Sequence, residues 1–231
     1  MFPIADFRFT SYELLITKCK EQTTKNQYQG TNTMKHFSFA LILLAIATSL
    51  LSAQSVWKAD KNHSSVNFSV SHMVISEVAG NFKDFDATLS SAKDDFSDAQ
   101  IEATIQTASI NTDNEMRDKH LRTNDFLNAE KYPTMSFKSS KVEKVDSNSF
   151  KITGILTIRD ISKPVVLDTR LLGRTKTPWG TTAAGFKATT SIDRFEFGTV
   201  WNKTLDSGGM IVGKTVTITL LFEFAKQEQK L

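Results

Sequence analysis

Arg117, Asp118 and His120 crowd into four consecutive positions of this 231-residue chain. A guanidinium and an imidazole this close can hold an anionic or carbonyl oxygen through charge-assisted hydrogen bonds. The same side chains can equally pin one segment to another by an ion pair, so both roles stay open. His72 ends a run in which Val66, Phe68 and Val70 alternate with polar residues, and it falls on their side. Such a histidine is either a hydrogen-bonded core residue or a ligand contact. Asp118 with His120 would be the acid–base pair of a small hydrolase or isomerase. Other catalytic patterns are poorly served. His63, His72 and His120 do not share the close spacing on one element that zinc enzymes use. There is no Gly-x-Ser-x-Gly elbow, and Gly208-Gly209 is too weak a signal for a phosphate cradle. No metal, no cofactor and no catalytic residue is the leading expectation.

The elements that must position these groups are strands. Val66, Phe68 and Val70 face one way and Asn67, Ser69 and Ser71 the other, the period of a half-buried strand. Strand character recurs over 56–60, 81–89, 101–106, 134–145, 150–159, 164–172, 183–192 and 212–224. Turn signals separate these runs at Asp146-Ser147-Asn148 and Pro178-Trp179-Gly180. Ala92–Asp98 is charged and turn-like, and the period is lost again from Asn111 to Pro133. There Thr112 or Asp113 can cap a short helix through Glu115–Arg122, Asn124 or Asp125 can begin another turn, and Pro133 ends the segment. Short turns and no βαβ spacing predict an all-β, eight-stranded antiparallel barrel with a short helical insertion, closure being the way so many strands lose their edges.

Ahead of the strands, Met34, Lys35 and His36 precede an apolar block, Phe37–Leu51, followed by Ser52 and Ala53. Basic start, short apolar core and small-residue exit describe a signal peptide over 34–53. Residues 1–33 then read as a mis-assigned or disordered extension, and 54–231 as the exported domain, periplasmic or secreted. Of 28 basic and 25 acidic residues, five and three precede Gln54, leaving 23 against 22. That balance lacks the basic footprint of a nucleic-acid binder. The one cysteine, Cys19, also lies ahead of the domain, which therefore has no disulfide framework or zinc ribbon.

Eight strands enclose a space that side chains just fill or that admits one slender ligand. The inward set is Phe68 and Val70, Ile101 and Ile105, Leu156 and Ile158, Phe186, and Val216, Ile218, Leu220 and Phe222. These make either ordinary core or the wall of a tunnel. The insertion adds Met116, Leu121 and Phe126 as a lid over one barrel end, with Arg117, His120 and His72 as candidates for a polar head group.

Four groups of residues resemble, in order, the signatures of the YceI-like polyisoprenoid-binding family. They are His63-Ser64-x-Val66-x-Phe68-x-Val70-x-His72 with Val78-x-Gly80-x-Phe82; Arg117-Asp118-x-His120-Leu121 with Asp125-Phe126-Leu127 and Tyr132-Pro133; Gly154-x-Leu156-Thr157-Ile158-Arg159 with Lys163-Pro164-Val165; and Ile192-Asp193-Arg194 with Phe197-Gly198, Trp201-Asn202 and Val212-Gly213. Asp160 stands where the family usually has glycine, and Glu196 where it has aspartate. The resemblance implies a lipocalin-like, extended barrel whose apolar tunnel carries a polyprenyl phosphate or prenylated quinone without catalysis. It further implies export and transient membrane contact for lipid exchange. A homodimer, and a generic carrier of fatty acids, remain open.

Overall fold

Two-residue alternation carries through almost the whole domain, and the computed structural model, which describes residues 54–228, folds it into one antiparallel sheet. The extension expected over 1–33 and the signal peptide expected over 34–53 lie outside the described residues. The strands are β1 (Ser55–Ala59), β2 (Ser65–His72), β3 (Ser76–Phe82), β4 (Phe85–Ser91), β5 (Gln100–Gln106) and β6 (Ile110–Asn111), followed by β7 (Thr134–Lys144), β8 (Ser149–Ile158), β9 (Ile161–Lys176), β10 (Thr182–Asp193) and β11 (Val212–Lys226).

Eleven strands make eight staves. β11 pairs with β10 along one side, and with β2 and then β1 along the other, which closes the barrel. β1 and β2 lie end to end against β11; β3 and β4 lie end to end against them; β5 and β6 form the next stave before β7. The eight-stranded, closed antiparallel expectation therefore holds, with three staves broken in two. The expected continuous run over 81–89 is one of those breaks. Between Phe82 and Phe85 the ladder is bridged by Lys83 N donating to Ser109 O and Gln106 N donating to Asp84 O, so the backbone groups at the kink stay paired.

Glycine inside two staves has a packing reason. A Cβ on Gly154 would overlap the Phe137 ring and lie 2.6 Å from the Lys138 carbonyl, and one on Gly80 would lie 2.6 Å from Phe68. Both glycines let a neighbouring ring fold across the strand and fill the wall.

The helical insertion comprises α1 (Glu115–Leu121) and a run of turns. Its N-cap is Asn114, whose side chain accepts from Arg117 N; the expected caps, Thr112 and Asp113, lie two residues and one residue too early. Thr112 is instead held by Asp118, which accepts from both its N–H (2.9 Å) and its Oγ1 (2.6 Å). The second helical turn expected at Asn124 or Asp125 is a non-helical turn, since the Asp125 carbonyl accepts from Val200 N and Trp201 N. At Asp160, Arg159 takes the left-handed backbone (φ 60°) and Tyr132 Oη donates to Asp160 Oδ2 at 3.2 Å. The turn is thus made without glycine.

The opposite end is stopped by the 92–99 loop. Phe96 (2% exposed) packs edge-on against Trp57 and Phe186 at ring distances of 5.4 and 5.2 Å. Asp98 ties the loop's neck, accepting from Ser91 Oγ (2.6 Å) and Ala92 N (3.0 Å). The Arg174 guanidinium covers Phe96 at 4.7 Å and donates to the Asp94 carbonyl. Lys144 meets Asp95 at 2.7 Å and holds its carboxyl well below the usual range. Charged loop residues thereby anchor an aromatic stopper.

Candidate functional site: an apolar barrel cavity

The barrel is not filled. A cavity of about 240 Å³ runs through it, with an almost wholly apolar lining. Its volume exceeds the roughly 150 Å³ apolar cavity that stays dry and accepts benzene in an engineered core. All eleven residues assigned to the inward set lie on its wall: Phe68 and Val70 from β2, Ile101 and Ile105 from β5, Leu156 and Ile158 from β8, Phe186 from β10, and Val216, Ile218, Leu220 and Phe222 from β11. They converge because each occupies the inward parity of its strand and the cross-strand register keeps those parities level, as in Phe68 opposite Ile218 and Phe186 opposite Phe222.

Exposure along three adjacent staves locates the mouth. On β10, Ala184, Phe186 and Ala188 are buried, whereas Thr190 and Ile192 are half-buried. On β11, Phe224 is buried and Phe222, Leu220, Ile218 and Val216 are not fully so. On β2, Val66 is buried and Phe68 and Val70 are half-buried. All three gradients run from the Phe96 stopper toward the insertion. The cavity therefore opens at the insertion end, on the β10–β11–β2 side.

The insertion contributes Leu121 and Phe126 to the cavity wall, but the other lid and head-group candidates are elsewhere. Met116 is 84% exposed on α1 and faces solvent. Arg117 turns back on its own segment: Nε donates to Thr112 Oγ1 (2.7 Å) and Nη2 to Thr112 O (2.8 Å). Its role is to fasten the helix start, by hydrogen bonds to Thr112 and not by an ion pair. His120 Nε2 lies 2.8 Å from Asp125 Oδ2, and its ring packs edge-on to Phe126 and Trp201. Asp125 thus engages one ring nitrogen of His120, and His120 is not among the cavity-lining residues. His72 lies past the rim. A bulge in β11 sets Val212 opposite His72 but Val216 opposite Val70, so the ladder runs out of alignment where His72 would turn inward. Asp118 and His120 do not meet each other in any hydrogen bond, and neither lines the cavity.

Phe96 and Arg194 are among the lining residues outside the expected inward set. Phe96 is a lone aromatic in a charged loop, a signal that only its later burial explains. Arg194 lines the cavity near the mouth while only 4% exposed. Its Nε donates to Gly213 O, Nη1 to Thr199 Oγ1 and Trp201 O, and Nη2 to Val212 O, at 2.8–3.2 Å. Phe195 stacks on the guanidinium at 4.1 Å. Burial pulls its pKa down from the ordinary 12.5, partly offset by Asp193. Arg194 stitches the 199–213 loop to the end of β10. Arg159 does the same for the lid, reaching Asn124 O, Phe126 O and Gly198 O from Nη1 and Asn124 Oδ1 from Nη2.

On the outer surface Asp60, His63 and Glu223 bring donor atoms within 4.8 Å of one another. His63 Nδ1 already sits 2.9 Å from Asp60 Oδ2, an interaction that raises the histidine pKa above 6.5 and lowers that of Asp60 below 3.8.

A closed antiparallel barrel with one end stopped, the other lidded, and an apolar cavity between defines the class of small-hydrophobe-binding barrels. Comparison with known proteins makes this narrower: residues 57–224 match the YceI-like domain. The chain belongs to that family. It is 40% identical over 164 residues to Protein YceI of Escherichia coli O157:H7, covering 68% of this chain and 85% of that one. Among solved structures, it is similar to the YCEI protein of Campylobacter jejuni, with 35% identity, a TM-score of 0.59, and coverage of 68% of this chain and 90% of that one. The fold also matches a polyisoprenoid-binding domain of Saccharophagus degradans at TM-score 0.54 and 12% identity, covering 74% and 98% of the two chains.

Proposed function

We propose that the protein is a non-catalytic carrier or store for an isoprenoid lipid, a prenylated quinone or polyprenyl phosphate, acting in the periplasm after export. The observation that carries this reading is the continuous hydrocarbon wall. A prenyl tail offers no hydrogen-bonding groups, so it gains from an apolar lining and loses nothing by the lack of polar ones. Each buried methylene-sized unit contributes about 0.8 kcal/mol, enough over several units to offset the entropy of ordering the tail. Val216 and Phe224 both line the cavity. Their separation along β11 is roughly 26 Å at the usual rise, or about 20 Å along a barrel axis with ordinary strand tilt. A straight tail of about four prenyl units, each roughly 5 Å long on ordinary bond lengths, fits that span; a longer tail has to fold back or protrude. The head group stays at the mouth.

The test is to purify the protein from its own host without detergent, extract it with organic solvent and identify the released lipid by mass spectrometry. A prenylated species is expected. A straight-chain fatty acid as the sole lipid would replace this reading with a generic carrier.

A further inference from the structure

The mouth of the cavity is flanked by an apolar turn that the barrel does not use. Met73, Val74 and Ile75 link β2 to β3 and are 39%, 71% and 87% exposed. Two of the three are held in the left-handed backbone region, Met73 at φ 52° and Val74 at φ 67°. For a β-branched residue this is a costly conformation, one that asparagine or glycine would adopt far more readily. The turn is nevertheless fixed: Met73 N donates to Ile211 O (2.9 Å), and Ile75 N and Ser76 Oγ both donate to His72 O. A strained turn built from exposed aliphatic residues gains the fold nothing, and strain of this kind marks a functional surface.

Its position says what it meets. Val70, three residues before Met73, lines the cavity, and Val212, paired with His72, lines it from the facing strand. The apolar cavity wall therefore reaches to within three residues of the turn, with only Ser71 and His72 between Val70 and Met73. Val200, 60% exposed, extends the same end through the loop that begins at the lid, where Val200 N donates to Asp125 O, and that reaches the turn through Ile211. We propose that the Met73–Ile75 turn is the element that dips into a phospholipid bilayer, setting the mouth against the membrane so that a tail passes from bilayer to barrel without crossing water. This rests on the lipid-carrier reading and names where the carrier docks. Charge plays little part: Glu77 follows the turn by two residues, and the 203–211 loop that Ile211 ties to it carries both Lys203 and Asp206, so this stretch is mixed in sign and unlike a polybasic membrane patch. Attachment is by insertion of a few side chains, which makes it weak and reversible, as exchange requires.

Flotation with vesicles of phosphatidylethanolamine and phosphatidylglycerol tests this, together with the rate at which the protein takes a fluorescent prenyl lipid from those vesicles. The double variant Val74→Asn with Ile75→Ser relieves the backbone strain, so it should melt at or above the wild-type temperature. It should also float and load about tenfold less well, the cost of losing one or two aliphatic anchors. Vesicle binding by the wild type should persist when salt is raised. Equal flotation and loading by variant and wild type would overturn the proposal, as would wild-type binding abolished by salt. So would a concentration-dependent dimer through this turn with no vesicle binding. Native lipid still extractable from a variant that loads slowly separates failure of docking from failure of the carrier reading itself.

Discussion

Single side chains carry much of the wall. Gly154→Ala should lower stability by about 1–3 kcal/mol, the usual range for overpacking, because its methyl would have to displace both the Phe137 ring and the Lys138 carbonyl; chemical denaturation measures it. The Asp60–His63 pair predicts a pH dependence. His63 is raised, so its share of stability is complete below about pH 6.5 and is lost as pH rises through the higher folded value. Asp60 is depressed, so its share is present above pH 3.8 and is lost as pH falls through the lower folded value. The pair therefore helps most between those two limits. An NMR titration should place the His63 midpoint above 6.5, and a midpoint at or below it would contradict the pairing. At this scale the sequence showed which residues face inward, since parity along a strand is local. It did not show which polar residues reach the cavity. Arg117, His120 and His72 were set aside from it by a threonine, an aspartate and a bulge that only the folded chain brings to them.

Among the elements, the lid depends on Arg159, which binds three carbonyls at once across the Asn124–Phe126 turn and Gly198. Arg159→Ala leaves those acceptors short of donors, at a cost of about 1–3 kcal/mol, or several degrees in melting temperature for a domain of this size. Bound lipid should also leave faster, because Phe126 on the cavity wall loses its backing; stopped-flow release of a fluorescent prenyl probe would show it. Unchanged release with a lowered melting temperature would mean the lid does not gate the mouth. The strands were legible from alternation and the insertion from its loss. The breaks within three staves were not, because nothing local distinguishes a kink bridged by Lys83 and Gln106 from continuous strand. Nor was the Phe96 stopper, whose burial depends on Trp57 and Phe186 from distant parts of the chain.

At the largest scale, the described residues form a barrel whose wall is hydrocarbon and whose interior is left open, and that opening is the basis of the proposed function. Closure between β11 and the β1–β2 stave pairs the edges that would otherwise be left along β1 and β11. Ala188 is small and inward, 7% exposed, midway along the cavity wall. Ala188→Trp should plug the cavity while the sheet, read by circular dichroism, stays intact. The decisive measurement is the amount of prenyl lipid recovered per mole of protein purified from its own host, wild type beside Ala188→Trp. We expect near-stoichiometric lipid in the wild type and about a tenfold loss in the plugged barrel. Equal lipid in both, or a wild type that carries none and takes up none, would contradict a carrier built around this cavity.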